Sequence, residues 1–426
     1  MNLKSSILQE LSNRKLIADT TDIEALDELL KSKSVTFYCG FDPTAPSLHL
    51  GNLAQIITMM RFQQHGHRPL LLIGGATGLI GDPKESGERT LNAQEVVDLW
   101  LERIKNSVTK FFDFTSKNAC VVVNNYDWTK HYSAISFLRD IGKHFSVNRM
   151  LDREAVSVRL GNQGISYTEF SYVLLQSLDY VELHKEYGCE LQLGGSDQWG
   201  NITSGCDLVR RMRSANVHAL TTPLIVKADG TKFGKTETGT VWIDPELTSP
   251  YAFYQFWLNA DDRDVETYLN TFSLKSVEEI RVLVEQSKAE PHLRIGQKAL
   301  AEEMTSLVHS SDVTTKVIQA SESLFGNRDL ESVDVETLIA ALQEAGCIEL
   351  NASEFDSCST VVDALVLAGV SKSKGDARRT IAEGGAYLNN SRILDPEMPI
   401  SRSNLVQNQV LVLRRGKKTI AGIRLV

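Results

Sequence analysis

The sequence lacks the features that mark membrane, disulfide-bonded and zinc-binding proteins. No apolar run approaches the roughly 20 residues that a membrane-spanning helix needs. The six cysteines are scattered, without a CxxC pair or a Cys/His cluster, so we predict free thiols and no structural metal. The N-terminal segment MNLKSSILQELSNRK has the pattern of an amphipathic helix rather than a signal peptide. We therefore expect a cytoplasmic protein with no membrane partner.

Positive charge is also scarce over most of the chain. The net charge of −9 disfavours a protein that coats nucleic acid with its whole surface. The distribution is uneven, however, because residues 359–426 contain eleven lysines and arginines against five acidic residues. A length of 426 residues with 42% hydrophobic content suits about three domains with real cores, and the last of them is predicted to be a separate basic zone.

Residues 35–53, VTFYCGFDPTAPSLHLGNL, have the layout of a nucleotide site. The apolar run at 35–39 predicts a buried strand, and Gly40, Asp42 and the following proline end it. We place Ser47 at the N-cap of the next helix, whose first backbone N–H groups then face the carboxyl end of the strand. Open α/β sheets bind ligands at that edge, so an anion such as a phosphate is expected there.

Two short motifs refine this expectation. In the first, HLGN, His49 lies beside the anion site, and Gly51 has no Cβ that would keep a flat ring or ribose off the helix. Alone, this motif equally fits a surface histidine next to a packing glycine. The second motif, KFGKT at residues 232–236, follows a strand-like run and a turn-forming Asp-Gly pair.

Together the two motifs resemble the HIGH and KMSKS signatures of class I aminoacyl-tRNA synthetases, in the same order and about 180 residues apart. The segments YCGFDPT, GGATGLIGDP, GGSDQWGN and KADGTKFGKT resemble bacterial-type tyrosyl-tRNA synthetases, and this resemblance spans the chain. It implies an α/β protein with a Rossmann-like parallel-sheet catalytic domain at 1–245. An α-helical anticodon-arm domain at 246–345, a linker at 346–358 and a small basic α+β RNA-binding domain at 359–426 would follow.

The resemblance also implies an activity and partners. Tyrosine and ATP, accompanied by Mg²⁺, would give tyrosyl-adenylate, and the tyrosyl group would then pass to the 3′-terminal adenosine of tRNA(Tyr). A homodimer would form through residues 133–155. Two alternatives are a relative of the tryptophanyl-tRNA synthetases and a non-catalytic RNA-binding protein on a synthetase scaffold.

The segment 166–180 predicts a helix with three polar side chains on one face. Tyr172, Gln176 and Asp179 are spaced i, i+4 and i+7, although an ordinary amphipathic helix would show the same stripe. The resemblance implies that this face binds the amino acid. The complete tyrosine-binding set that it implies is Tyr38, Asp82, Tyr172, Gln176, Asp179 and Gln198.

The ATP site and the catalytic groups are likewise implied by the resemblance. The implied catalytic residues are Thr44, His49, Asn52, Lys232, Lys235 and Thr236. The implied ATP-binding residues are Gly40, Asp42, His49, Gly51, Asn52, Gly194, Asp197 and Lys235. Arg89, in a polar loop, would help to close the site. The first motif most often ends in histidine, and Asn52 keeps a donor but cannot become cationic, so we expect a ribose contact from it.

The basic C-terminal zone contains a segment, STVVDALVLAGVSKSKGDARRTIAEGGAYLNN, that resembles an RNA-binding module of a ribosomal small-subunit protein. A basic helix alone is equally typical of a solvated surface. Within this module pattern, Lys372, Lys374, Arg378 and Arg379 are predicted to contact RNA phosphates.

Overall fold

The computed structural model describes residues 3–83, 91–151, 156–157, 160–161, 164–236, 239–325, 329–416 and 419–426. Contacts divide the chain into two compact units, the first formed by 1–244 with 261–296 and the second by 245–260 with 297–426. Within the described ranges, no helix is both long and apolar enough to cross a membrane.

The first unit is built on a six-stranded sheet. Its strands are β1 Asp19–Thr20, β2 Thr36–Phe41, β3 Arg68–Ile73, β4 Val121–Asn124, β5 Leu191–Gly195 and β6 His218–Thr222. The spatial order is β1-β6-β5-β2-β3-β4, and every neighbouring pair is parallel except β1 with β6. The chain runs from β2 outward to β4, then returns to the other side of β2 with β5. This reversal creates a topological switch point between β2 and β5, where open α/β sheets bind ligands.

Helices cover this sheet, and their bounds follow in chain order. They are α1 Ser6–Asn13, α2 Ile23–Ser32, α3 Leu50–Gln64, α4 Gln94–Thr109, α5 Tyr126–Thr129, α6 Ala134–Asp140, α7 Val147–Leu151, α8 Tyr167–Tyr187 and α9 Trp199–Arg213. A hairpin of β7 Lys235–Thr236 and β8 Gly239–Thr240 follows β6. The predicted parallel-sheet catalytic fold is thereby confirmed.

The helix predicted over residues 3–30 is interrupted. Helix α1 ends where Lys15 adopts a left-handed conformation with φ of 60°, and β1 pairs with β6 before α2 begins. Periodicity missed the break because the apolar residues of both helices, among them Leu11 and Leu26, are buried as one continuous helix would also require.

Two further helices, α11 Val265–Phe272 and α12 Val277–Ala289, also belong to the first unit. Helix α11 packs against α3. The buried guanidinium groups of Arg14 and Arg61 donate to the carbonyl oxygens that follow α11, with Arg61 Nη2 at 2.8 Å from the Ser273 oxygen. Glu10 forms ion pairs with both arginines, so the buried charges are compensated.

The second unit contains helices and a five-stranded sheet. The helices are α10 Pro250–Leu258, α13 Ile295–Val308, α14 Ser311–Phe325, α15 Val335–Ala345, α16 Ala352–Asp356, α17 Val361–Leu367 and α18 Lys374–Ala382. The strands are β9 Cys347–Leu350, β10 Ala386–Leu388, β11 Ser391–Arg392, β12 Val410–Arg415 and β13 Thr419–Leu425, in the order β11-β10-β12-β13-β9.

The segment predicted as a linker, 346–358, has regular structure. Strand β9 pairs in parallel with β13, and Phe355 and Cys358 lie in the core of the C-terminal module. The domain boundaries at 245, 345 and 358 remain predictions, but the contacts divide the chain elsewhere, because α11 and α12 pack on the catalytic sheet's helices.

Candidate functional site

A cavity of about 520 Å³ opens at the carboxyl ends of β2 and β5, where the sheet topology predicts a ligand site. Its wall includes every residue predicted to bind the amino acid and every residue predicted to bind ATP except Lys235. These residues are Tyr38, Gly40, Asp42, His49, Gly51, Asn52, Asp82, Tyr172, Gln176, Asp179, Gly194, Asp197 and Gln198, and Thr44 of the predicted catalytic set joins them.

A second, larger cavity of about 890 Å³ lies between residues 144–150 and 200–217. None of the residues predicted for ATP or the amino acid lines it. We assign the candidate site to the smaller cavity because buried titratable groups converge there, which is typical of functional sites.

The buried end of the site is organised around Asp179. Its carboxyl group accepts hydrogen bonds from the Trp128 indole at 2.9 Å and from Asn125 Nδ2 at 3.1 Å. Nearby, the Tyr38 hydroxyl is fully buried and has no hydrogen-bond partner among the described residues. The amide oxygens of Gln176 and Gln192 on the same wall are also without partners in the described chain. Such orphaned polar atoms are expensive unless a ligand or water satisfies them.

Burial raises the pKa of Asp179 to about 8, against the opposing effect of its two donors. In the unfolded chain an aspartate titrates near pH 4. Between these values the folded state keeps a proton that the unfolded state has lost, so the contribution of Asp179 to stability is present at low pH and is lost as pH rises from about 4 to about 8.

We therefore expect the Asp179→Asn variant to lose this part of the pH dependence. The free energy of unfolding of the wild-type protein should fall relative to the variant between about pH 4 and pH 8, as measured by denaturant titration. The exposed Asp127→Asn variant, altered near the same wall, should run parallel to the wild type. Parallel curves for Asp179→Asn would mean that its carboxyl group ionises normally.

Asp42 connects two of the predicted binding sets. Its carboxylate accepts hydrogen bonds from the Thr77 hydroxyl at 2.6 Å and from the Tyr172 hydroxyl at 2.7 Å. A side chain at Gly74 would collide with this arrangement, since its Cβ would lie 2.0 Å from Asp42 Oδ1. Asp42 thus holds Tyr172 at the junction between the predicted amino-acid and ATP subsites.

Asp82 is held by two amides from the start of α9. Gln198 Nε2 donates to Asp82 at 3.0 Å and Asn201 Nδ2 donates at 3.1 Å, while Asn201 also donates to Gln198 Oε1. Gln198 Nε2 further contacts Asp197 at 3.1 Å. The carboxyl groups of Asp42, Asp82 and Asp179 therefore face one cavity, an arrangement suited to a ligand with an ammonium group.

The first motif begins α3, but the N-cap is His49 and not Ser47 as predicted. His49 Nδ1 accepts from the backbone N–H of Gly51 at 3.1 Å and of Asn52 at 3.4 Å. Asn52 Oδ1 accepts from the His49 N–H at 3.1 Å, which completes a capping box. A Cβ at Gly51 would lie 2.9 Å from the imidazole, so the glycine makes room for the histidine ring itself.

This cap fixes the protonation of His49. Because Nδ1 accepts from the backbone, the neutral ring has its proton on Nε2, which is the donor left for a ligand. The pKa of His49 is lowered by desolvation, and the charge of Lys235 acts in the same direction. Any ribose contact from Asn52 would come from its amide NH₂ group, since its oxygen is used in the cap.

The second motif is joined to the first by backbone hydrogen bonds. The Leu50 N–H donates to the Val241 carbonyl at 3.3 Å, and the Ile243 N–H donates to the Leu48 carbonyl at 3.0 Å. Gly234, with φ of +74°, sits close enough to α3 that its Cβ would lie 3.3 Å from Leu50 Cβ. The HLGN and KFGKT motifs are therefore neighbours in space.

The catalytic lysines do not complete the cavity wall. Lys232 and Lys235 are exposed and are absent from the described residues that line it. Thr236 lies in β7, and Arg89 falls outside the described residues. The geometry places the lysines beside His49 without placing them in the site.

Sequence reasoning missed several residues that hold the predicted ones. Asn125 and Trp128 hold Asp179, Thr77 holds Asp42, and Asn201 holds Asp82. The available signals were the strand-to-loop junction NNYDW and the glycine-rich turn, both of which end strands at the ligand edge. Neither signal says which side chain turns inward.

The predicted RNA residues lie on and just before α18 in the second unit. Three of them form ion pairs within the module: Lys374 with Asp363 at 2.7 Å, Arg378 with Glu397 at 3.1 Å, and Arg379 with Asp376 at 2.9 Å. All three basic side chains are more than half exposed, so phosphates can reach them in competition with the acids.

Comparison with known proteins places this site in a family context. Residues 30–326 match the family model described as tRNA synthetases class I (W and Y). Residues 344–421 match the model for the tyrosine–tRNA ligase SYY-like C-terminal domain.

Individual relatives are similar over nearly the whole chain. The chain is 56% identical to the tyrosine–tRNA ligase of Streptomyces avermitilis, covering 98% of this chain and 99% of the relative. It is 53% identical to that of Acidothermus cellulolyticus, with 98% of each chain covered. Among solved structures, the C-terminally truncated mitochondrial tyrosyl-tRNA synthetase of Coccidioides posadasii matches with a TM-score of 0.65 and 30% identity, covering 74% of this chain and 92% of that one.

Proposed function

The chain belongs to the tyrosyl-tRNA synthetases among the class I aminoacyl-tRNA synthetases, and from this membership we propose how its residues perform the reaction. The enzyme attaches L-tyrosine to tRNA(Tyr) in two steps. ATP first activates the amino acid as tyrosyl-adenylate with release of pyrophosphate. The tyrosyl group then moves to the 3′-terminal adenosine of the tRNA.

The observation that supports this assignment of residues is the convergence of both substrate subsites on one cavity. The tyrosine carboxylate is already a nucleophile, so the protein has two tasks. It must align that carboxylate with the α-phosphorus, and it must stabilise the charge that moves onto pyrophosphate. No covalent intermediate with the enzyme is needed.

On the amino-acid side, Tyr38 and Asp179 would bind the phenol hydroxyl. The buried Tyr38 hydroxyl lacks a partner in the described chain, and Asp179 is preset by its two donors. Asp82, Tyr172 and Gln176 would hold the ammonium end, and Gln198 the carboxylate. The three carboxyl groups facing the cavity favour a cationic ammonium.

On the nucleotide side, the backbone at Gly40 and Gly194 allows close approach of ATP, with Asp42 and Asp197 near the ribose. His49 would donate Nε2–H to a phosphate, assisted by Thr44, and Asn52 would contact the ribose through its amide NH₂. Lys232, Lys235 and Thr236 would act on pyrophosphate from the opposite side. Magnesium enters with ATP, bound through the nucleotide phosphates, and is assigned to none of the chain's own residues.

The direct test is exchange of labelled pyrophosphate into ATP. We expect exchange only when tyrosine is present. Exchange with tryptophan instead would favour the tryptophanyl alternative, and no exchange with any amino acid would favour a non-catalytic RNA-binding protein.

We also propose a homodimer formed through the segment 133–155. In its described part, Ile135, Leu138 and Val147 are apolar and exposed by 74%, 49% and 58%. Residues 152–155 lie outside the described residues. Exposed apolar side chains grouped in one segment are typical of interaction surfaces. The cytoplasmic location remains a prediction.

The basic module would bind tRNA(Tyr) through Lys372, Lys374, Arg378 and Arg379. Removing the chain after residue 356 is a poor test, because it cuts through the module core at Phe355 and Cys358. Single substitutions on the exposed helix avoid this problem.

We expect Arg378→Ala to weaken tRNA binding and to reduce the salt dependence of the association constant by about one phosphate contact. The matched variant Glu397→Gln should act in the opposite direction, because it releases Arg378 from its ion pair. Binding isotherms at several salt concentrations would measure both. If the two variants weakened binding equally, Arg378 would not contact phosphate.

A further inference from the structure

Helix α11 presents a stripe of three side chains to the loop that contains KFGKT. Asp264, Tyr268 and Phe272 are spaced four residues apart, so they lie on one face of the helix. Asp264 is 6% exposed, Tyr268 2% and Phe272 0%, so the stripe is an interior surface of the first unit. The loop is what covers it.

The first contact fixes the turn before the lysines. Asp264 Oδ1 accepts a hydrogen bond from the Ala228 backbone N–H at 2.9 Å and also interacts with the Tyr268 hydroxyl. The turn is closed by the Gly230 N–H, which donates to the Lys227 carbonyl at 2.8 Å. One end of the loop is therefore tied to the N-terminus of α11.

The second contact lies inside the motif itself. The ring of Phe233 stacks on Phe272 at a centroid distance of 5.3 Å and an interplanar angle of 26°, and it meets Tyr268 at 5.1 Å and 60°. Pairs in this range favour a defined geometry beyond simple burial. Phe233 separates Lys232 from Gly234 and Lys235, so its ring fixes the backbone on which both lysines are mounted.

Helix α11 is in turn fixed to the helix that begins with HLGN. It packs against α3, and Arg61 near the end of α3 donates to the Ser273 carbonyl at 2.8 Å. Helix α3 thus has His49 at its first end and the support of the KFGKT loop towards its other end. The distance between the two signature motifs is set through packed helices.

We propose that Phe233 is a positioning residue for adenylate formation, acting through Lys232 and Lys235 by docking its ring on Tyr268 and Phe272. This inference rests on the role proposed above for the two lysines. With the ring docked, few backbone angles remain to be ordered when the lysines reach pyrophosphate. Without it, several residues must be ordered in the transition state, and each costs free energy.

The experiment compares Phe233→Leu with the wild type in single-turnover formation of tyrosyl-adenylate at saturating tyrosine and ATP. We expect a rate reduction of about tenfold, because leucine keeps the apolar contact but loses the stacked geometry. Tyrosine affinity, measured by equilibrium binding, should stay within about twofold, since no loop residue lines the tyrosine subsite. Tyr268→Phe retains the ring and should stay within about threefold of the wild-type rate, whereas Tyr268→Leu should reproduce the defect.

A double-mutant cycle separates positioning from general destabilisation. In a protein that already contains Lys232→Ala and Lys235→Ala, the Phe233→Leu change should slow the reaction by less than about twofold, because the groups that it positions are gone. A full additional tenfold loss in that background, or an unchanged rate in the wild-type background, would overturn the proposal.

The same variants distinguish failure of this inference from failure of the proposed function. If the lysine variants alone left the rate unchanged, the role of KFGKT would be wrong. If they slowed the reaction while Phe233→Leu did not, only the positioning role would be wrong. Limited trypsin digestion gives a readout that is independent of activity, because cleavage after the exposed Lys232 and Lys235 should accelerate in Phe233→Leu but not in Tyr268→Phe.

Discussion

Replacing Lys235 by alanine is expected to slow tyrosyl-adenylate formation by about 10²–10³-fold while leaving tyrosine affinity nearly unchanged. The side chain is exposed and does not line the cavity that holds the amino-acid subsite. It therefore contributes nothing to ground-state binding of tyrosine. Its charge becomes useful when negative charge builds up on the departing pyrophosphate, and an interaction made only in the transition state changes the rate and not the affinity.

Rapid-quench measurement of adenylate formation, with equilibrium binding of tyrosine in parallel, checks this expectation. Lys31→Ala is a matched control, because it removes an exposed lysine from α2 without touching either motif. An undiminished rate in Lys235→Ala would remove KFGKT from the mechanism. A matching loss of tyrosine affinity would instead mean that the lysine acts on the ground state.

The sequence was sufficient for the layout of the catalytic sheet. Strand β4 lies where predicted at 121–124, and β2 and β3 differ from their predicted bounds by one or two residues. Apolar runs ended by glycine and proline are local signals, and the strands were local enough to be found from them. The interruption between α1 and α2 was not found, because it depends on a left-handed residue and on pairing with β6, some 200 residues away.

The candidate site was predictable at the level of its ligand-facing residues but not of their supports. Tyr172, Gln176 and Asp179 share a helix face by spacing alone, and all three line the cavity. The groups that orient Asp179 come from residues 51 and 54 positions earlier in the chain, and nothing in the pattern at 125–128 specifies an inward turn. Through-space partners at such separations require the tertiary structure.

The start of α3 shows the same limit at short range. Serine is a better N-cap former than histidine, so propensity favoured Ser47. The observed cap uses an imidazole nitrogen, which needs the open space above Gly51. Here the requirement to hold the ring over the helix terminus outweighs local preference, and a departure of this kind is expected at a functional site.

The second large effect concerns the choice between tyrosine and phenylalanine. A bound phenylalanine would cover the buried Tyr38 hydroxyl and the Asp179 carboxyl group without giving either a partner. Each buried polar group left unpaired costs about 1–3 kcal/mol, so two of them give selection on the order of 10²–10⁴ in kcat/KM. We therefore expect strong preference for tyrosine through binding alone.

Tyr38→Phe tests the origin of that preference. The tyrosine/phenylalanine ratio of kcat/KM should fall roughly 2- to 10-fold, the value of one neutral hydrogen bond, while activation of phenylalanine changes little. Tyr180→Phe is the matched control, since Tyr180 packs against Tyr38 at 5.2 Å but donates its hydroxyl to the His218 carbonyl and is absent from the cavity wall. This control should lower stability and leave the ratio intact. An unchanged ratio in Tyr38→Phe would mean that Tyr38 does not contact the phenol, and the buried end of the site would then have to be assigned to Asp179 alone.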